Sequence, residues 1–196
     1  CNYWGKNISV VQLSWGVTMT RDMMGTIFEL NPNIKKIGVV GGVGYVGKND
    51  VEVDDIFYPN SLVQGNDKWG YKITPIDNSM IDKIENKYFF NKKTTSGGIY
   101  SVVPKKHVIS NFDRVKNNDD KIMAFDMEAV AFSEKISQNK KVDFAACYYI
   151  MDIPLKGLGL GNTYYNLEFL QELFEQPNRG KYFCMEKVIR FLTQKQ

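Results

Sequence analysis

Three short stretches of the sequence place glycines or a carboxyl group next to apolar runs that predict strands. Residues 42–47 form a G-x-G-x-x-G pattern directly after the run "IGVV", and two glycines interrupt "SGGIY" at residues 96–100. Asp152 follows the apolar run "CYYIM". Glycines let a backbone approach a phosphate or another small ligand, and a carboxyl group at a strand end can meet a ligand or cap the next turn. We therefore expect a small-molecule site near these three stretches.

The hydrophobic pattern alternates between strands and helices, which predicts an α/β fold. Strands are predicted at residues 7–16, 34–40, 51–59, 94–104 and 142–152, and helices at 20–30, 79–89, 125–138, 166–176 and 183–194. Several strands are apolar at nearly every position, which indicates a sheet covered by helices on both faces. In such sheets ligands bind beyond the carboxyl ends of the strands, where all three stretches are expected to lie.

Length and composition narrow the class of protein. The 196 residues are most economically one domain, and the net charge of +3 comes from isolated lysine pairs that do not predict nucleic-acid binding. No apolar run is long enough to cross a bilayer. Three scattered cysteines predict neither a disulfide framework nor a metal site, and they fit a reducing compartment, so a cytoplasmic protein without metal or cofactor is expected. Cys1 at the start of the chain indicates a processed protein or a fragment, with a mature lipoprotein as a minor alternative.

The G-x-G-x-x-G pattern has three interpretations. A dinucleotide-binding loop must lead into a helix that receives the pyrophosphate, but residues 48–59 are rich in aspartate and β-branched residues and end in Pro59. That context predicts a turn followed by a strand, so we reject the dinucleotide site. Two interpretations stay open: a glycine turn between two strands, or glycines that let the backbone approach a small ligand.

Five stretches, taken in order, resemble the purine nucleoside phosphorylase and methylthioadenosine nucleosidase superfamily. "QLSWGVT" is similar to its first glycine turn, with Thr18 at the second glycine, and "VVGGVG" with "VEVDDIFYP" resembles its G-x-x-G loop and the following strand. "SGGIYS" resembles its base-binding segment, "FDMEAVAFSEKI" its M-E-A element, and the strand ending at Asp152 the strand that carries an acid beside the purine. The resemblance covers most of the chain from about Asn7 onward. It implies a single three-layer domain over residues 1–196, with a mixed central sheet and helices on both faces.

The resemblance also implies roles for four side chains. Asp152 would be the catalytic acid that protonates or hydrogen-bonds the departing purine, with turn capping as the alternative. Glu128 would accept hydrogen bonds from two sugar hydroxyls, although a carboxylate in a first helical turn is also favoured by the helix dipole. Met127 would pack beneath the sugar, or simply in the core. Tyr100 would stack on the base, or pack as an ordinary strand aromatic.

Four glycines complete the implied substrate-binding set. Gly98 belongs to the base-binding segment, and three others would form a loop that faces the sugar or its nucleophile: Gly41, Gly42 and Gly44.

The chain also departs from the pattern of the family. The first strand and helix of the family have no counterpart here, so the domain is expected to be incomplete at its N-terminus. Val40 stands before the glycines with no arginine near it in sequence, Gly42 replaces a hydroxyl residue, and Met151 replaces a serine. We therefore expect cleavage of the N-glycosidic bond of a purine nucleoside or methylthioadenosine-like compound, with hydrolysis favoured over phosphorolysis. The alternative is an inactive relative that binds a nucleoside or nucleotide. The partners expected are a nucleoside, phosphate as a further candidate, and a second copy of the chain in a homo-oligomer.

Overall fold

The computed structural model describes residues 2–3, 6–9, 11, 17–66, 70–82, 84, 93–101, 122–138, 142–153 and 179–194. Eight strands lie in the described part of the chain: β1 (Asn2–Tyr3), β2 (Lys6–Asn7), β3 (Lys36–Tyr45), β4 (Ile56–Asn66), β5 (Gly70–Pro75), β6 (Thr94–Ser101), β7 (Ala124–Asp126) and β8 (Asp143–Asp152). The helices described are α1 (Val17–Leu30), α2 (Ser79–Asp82), α3 (Ala129–Gln138) and α4 (Arg179–Thr193). None of these helices has the length and apolar content that crossing a membrane requires.

The central sheet is mixed and curls on itself. Its strand order is β5-β4-β6-β7-β3-β8, and β4 also pairs with β8 at Ile56 and Phe57, so five of the strands form a ring. The β3–β8, β4–β6 and β6–β7 pairs are parallel, whereas β3–β7, β4–β5 and β4–β8 are antiparallel. A separate two-stranded ribbon joins β1 and β2.

Helices cover both faces of the sheet, as the apolar strands predict. On β3, Val39 belongs to the core cluster that contains Met24 of α1 and Phe132 of α3, and the next residue, Val40, packs against the cluster beneath α4. Neighbouring strand residues therefore point into opposite cores, which is the two-residue period of a strand buried on both faces. The predicted α/β class with a mixed central sheet is confirmed.

Several predicted elements are confirmed with small shifts in their ends. α1 ends at Leu30, before the predicted Asn31-Pro32 stop, and β6 and β8 lie where extended segments are expected. The predicted helix at 125–138 begins only at Ala129, because the preceding residues form β7. α4 begins four residues earlier than predicted. The predicted strand at 7–16 and helix at 166–176 lie largely or wholly outside the described residues.

Residues 51–55 were expected to start a strand, and this expectation is wrong. Asp54 has a φ of 75°, and the buried carboxylate of Asp55 accepts hydrogen bonds from the backbone N–H groups of Glu52 (2.8 Å) and Lys93 (3.1 Å). These side-chain hydrogen bonds hold the backbone in a turn. The turn needs a positive φ at Asp54, a conformation that aspartate adopts more easily than most residues. β4 therefore begins at Ile56.

Two polar side chains fix the elements around β8. The buried Asn78 donates to the backbone oxygen of Ala146 (2.7 Å) and accepts from its N–H (2.9 Å), so it replaces a missing strand partner. Oδ1 of Asp54 accepts from the N–H of Gly180 (2.7 Å) at the first turn of α4. Both contacts join segments that are more than 60 residues apart, and they set where β8 and α4 lie.

Candidate functional site

One register row crosses four neighbouring strands and contains several of the predicted site residues. Tyr100 of β6 pairs with Phe125 of β7, Phe125 pairs with Gly44 of β3, and Gly44 pairs with Asp152 of β8. Adjacent strands are about 4.8 Å apart, so Tyr100 and Asp152 are separated by about 14 Å along the sheet. The row brings these residues to one level of the sheet, on four neighbouring strands.

Asp152 ends β8 in an apolar environment. Its Oδ1 is buried and has no hydrogen-bond partner among the residues that the structure describes. Because burial penalises the charged form, the pKa of Asp152 is raised from 3.8 to about 6. A carboxyl group of this kind holds its proton far more readily than an exposed aspartate and can release it to a ligand, which is what a general acid requires.

The glycines of β3 make room for the side chains of β8. A methyl group on Gly41 would lie 2.9 Å from Cε1 of Tyr148, and one on Gly44 would lie 2.5 Å from Oδ1 of Asp152. A methyl group on Gly42 would overlap the sulfur of Met151. The β3–β8 register pairs Gly41 with Tyr148 and Gly44 with Asp152, whereas Met151 lies in the bulge, opposite the step from Val43 to Gly44. The glycines are therefore needed where the side chains of one strand cross over the backbone of the next.

This arrangement corrects the interpretation of residues 41–47 as a glycine turn or loop. Gly41, Gly42 and Gly44 lie inside β3, which continues to Tyr45. Glycine weakens a strand because it has high backbone entropy and no side chain to pack. Here the parallel ladder to β8 holds the segment extended, from Lys36 through Gly44. The predicted contact of these glycines with a ligand stays a prediction.

Glu128 and Met127 lie between β7 and α3, and both are partly buried. The N–H of Ala129 donates to Oδ2 of the buried Asp126 (2.7 Å), so Asp126 caps the helix. The backbone oxygen of Glu128 accepts from Ala131 (2.9 Å), which places Glu128 in the first helical turn. The cap fixes the backbone of both predicted binding residues where the helix begins.

Tyr148 is buried on the same core side as α1 and α3, with 4% of its surface exposed. Burial is the main cause that raises its pKa well above the usual value, and the negative charges of Asp126 and Glu128 add to the effect. The phenol is therefore neutral, and it lies close enough to these two carboxylates to feel their charge. Tyr148 thus links β8 electrostatically to the start of α3.

A cavity of about 330 Å³ opens next to Gly98, between β4, β5, β6 and the segment after β3. Its lining includes Lys48, Ser61, Ser96 and Met123, but not Tyr100, Glu128 or Asp152. Gly98 therefore lines this cavity, whereas Glu128 and Asp152 do not. Among the residues described, no group of three or more His, Cys, Asp or Glu side chains could hold a metal ion.

Sequence reasoning did not assign a role to Asp126 or to Tyr148 beyond general packing. An aspartate directly before a helical pattern, as at Asp126, is an N-cap signal that could have been used. Tyr148 has no such signal, because its closeness to Glu128 depends on the order of strands in the sheet.

Comparison with known proteins gives matches at the level of structure. No protein-family profile and no curated protein sequence matches the chain. A protein from Borrelia burgdorferi B31, assigned as a 5′-methylthioadenosine/S-adenosylhomocysteine nucleosidase and solved with adenine, has a TM-score of 0.72 at 18% identity. That match covers 96% of this chain and 82% of the other.

Two further structures have similar values. A 5′-methylthioadenosine/S-adenosylhomocysteine nucleosidase from Neisseria meningitidis, in complex with methylthio-immucillin-A, has a TM-score of 0.69 at 13% identity, covering 95% of this chain and 82% of that one. A futalosine hydrolase mutant from Helicobacter pylori strain 26695 has a TM-score of 0.66 at 15% identity, covering 96% and 83%. At these identities the match concerns the fold alone.

Proposed function

We propose that this chain, which has the nucleoside phosphorylase-like fold, cleaves the N-glycosidic bond of a purine nucleoside or a methylthioadenosine-like compound. The observation that carries the proposal is the buried carboxyl group of Asp152, which has a pKa of about 6 and one oxygen that no residue in the described part of the chain hydrogen-bonds. Two of the structures are assigned as 5′-methylthioadenosine/S-adenosylhomocysteine nucleosidases, and one of these is solved with adenine, which supports a purine as the leaving group.

In the proposed reaction the bond breaks through a transition state in which the sugar gains positive charge and the purine gains negative charge. Protonated Asp152 donates to the departing purine and so removes the developing negative charge. With a pKa of about 6, roughly one molecule in ten carries this proton at pH 7. Glu128, held in place by the Asp126 cap, accepts hydrogen bonds from the sugar hydroxyls. Tyr100 offers a ring for the base to stack against.

Water is proposed as the nucleophile in preference to phosphate. When its oxygen bonds to the sugar carbon, the water loses a proton to solvent, and solvent reprotonates Asp152 after the purine leaves. The sulfur of Met151 fills the space beside Gly42, so a soft apolar atom lies where an anion would need a hydrogen-bond donor. Phosphate binding at this glycine is therefore disfavoured. The nucleosidase and hydrolase names of the relatives agree with this choice of water.

The test is release of free base from methylthioadenosine, adenosine and inosine, each incubated with and without phosphate. The proposal predicts phosphate-independent release of base from at least one compound, and loss of that release in Asp152→Asn. Asp22→Asn, on the exposed side of α1, is the matched control for removing a carboxylate. Tight binding with the nucleoside recovered intact would instead support a catalytically inactive nucleoside-binding protein. If the protein neither binds nor cleaves any of these compounds, the nucleoside proposal is wrong.

A homo-oligomer is also part of the proposal, by analogy with the family that the sequence resembles. Analytical ultracentrifugation at micromolar concentration tests it, and a sedimentation coefficient of a 22.5 kDa monomer would rule it out.

A further inference from the structure

The ring of Tyr148 crosses β3 at Gly41, toward the start of α3. Tyr148 belongs to β8 and pairs with Gly41 of β3, and β3 lies between β8 and β7 in the sheet. Cε1 and Cδ1 of the ring occupy the space that a side chain at position 41 would need. Because position 41 has no side chain, the phenol can extend across β3 into the region where β7 ends and α3 begins.

The hydroxyl of Tyr148 lies within electrostatic range of two carboxylates there. Asp126 and Glu128 are the charged groups nearest to it by their electrostatic effect. Asp126 is committed to capping α3 through its bond to Ala129. The Tyr148 side chain is almost fully buried as a whole, but its hydroxyl oxygen is not one of the fully buried oxygens that lack a partner among the described residues. A hydroxyl of this kind keeps an opening through which a ligand or water can bind it.

We propose that the hydroxyl of Tyr148 is a further substrate-binding group, which contacts the sugar of the nucleoside next to Glu128. This inference rests on the proposed function, because it takes Glu128 to be the sugar-binding carboxylate. A carboxylate can only accept hydrogen bonds, whereas a neutral phenol can donate one. A sugar hydroxyl held by both groups donates its proton to Glu128 and accepts from Tyr148. The pair therefore recognises a hydroxyl group in a defined orientation, which a carboxylate alone does not fix.

The test compares binding of methylthioadenosine with binding of adenine, which lacks the sugar, by calorimetry on proteins that have either tyrosine or phenylalanine at position 148. Both proteins carry Asp152→Asn, so that the nucleoside is not cleaved during the titration. The phenylalanine ring keeps the packing against Gly41, so the variant is expected to fold. Loss of one hydrogen bond is expected to weaken methylthioadenosine binding about 3- to 10-fold and to leave adenine binding unchanged. Tyr58→Phe is the matched control, because Tyr58 is a buried tyrosine beneath α4 in the other core and should affect neither ligand.

Each outcome separates the inference from the proposed function. A selective loss of methylthioadenosine binding in Tyr148→Phe supports the sugar contact. Unchanged affinity for both ligands, or an equal loss for both, overturns the contact, while binding by Asp152→Asn with Tyr148 in place still supports a nucleoside site. If Asp152→Asn binds neither compound and wild type releases no base, the proposed function fails first and the role of Tyr148 fails with it.

Discussion

Replacing Asp152 with asparagine should make the protein more stable at pH 8 while removing its activity. The folded protein holds the carboxyl group in a buried place where its pKa is about 6 instead of 3.8. The shift is about two units, and at 1.36 kcal/mol per unit the ionised group costs the folded state up to about 3 kcal/mol. Asparagine has nearly the same shape and no charge, so it should avoid this cost. Stability lost for the sake of an active-site group is a common trade-off.

The pH dependence distinguishes this cause from a general effect of the substitution. The pKa of Asp152 is raised on folding, so the protonated group stabilises the folded state at low pH, and that stability is lost as pH rises from about 4 through about 6. The free energy of unfolding of Asp152→Asn should therefore exceed that of wild type by about 3 kcal/mol at pH 8, but by only about 1 kcal/mol near pH 4.5. Urea unfolding followed by circular dichroism measures both values.

Asp22→Asn is again the control, and its difference from wild type should stay small at both pH values because the side chain is exposed. If the stability difference between wild type and Asp152→Asn does not change with pH, burial does not raise the pKa of this group and the reasoning is refuted.

Three further substitutions test the contacts that shape the site, each by urea unfolding. Gly44→Ala should destabilise the protein by about 1–3 kcal/mol and reduce base release, because its methyl group meets the carboxyl oxygen at the end of β8; unchanged activity would contradict the close approach. Asn78→Ala should lower the free energy of unfolding by about 2–4 kcal/mol, because the buried backbone N–H and C=O groups of Ala146 both lose their hydrogen-bond partner. A decrease of less than about 0.5 kcal/mol would contradict this role of Asn78. Asp54→Ala should lower the free energy of unfolding by about 2 kcal/mol, because alanine loses the hydrogen bond to Gly180 and tolerates the positive φ of this position less well. Asp54→Asn keeps the hydrogen-bond acceptor and should be nearly neutral. Equal losses of stability in the two variants would show that neither the hydrogen bond nor the backbone conformation is the cause.

The sequence predicted the elements in which local pattern and final structure agree. β8 contains an unbroken apolar run of eight residues, and α1 has apolar residues at helical spacing followed by Asn31-Pro32, so both were found with nearly correct ends. The placement of Asp152 at the end of β8 follows directly from that run. β7 has only three residues, which is too few to show a period, and it was absorbed into the predicted helix.

The glycines of β3 show why other features of the fold and the candidate site could not be predicted from the sequence. Local propensity favours a turn at residues 41–47, but pairing with β8 decides the conformation. The reason for each glycine lies on the neighbouring strand, in Tyr148, Met151 and Asp152, and that neighbourhood becomes visible only once the register is known. The register is likewise needed to bring Tyr148 near Glu128. These residues are 20 positions apart in sequence, and the charge of Glu128 raises the pKa of Tyr148 in the folded chain.

The pH dependence of base release tests the central claim most directly. If buried Asp152 must be protonated to assist the departing purine, kcat/KM for the cleaved nucleoside should fall about tenfold for each pH unit above about 6. Asp152→Asn should lower kcat by a factor of about 10² or more. A rate that stays level or rises from pH 6 to pH 8 in wild type, or an Asp152→Asn variant as active as wild type, would contradict the assignment of Asp152 as the catalytic acid.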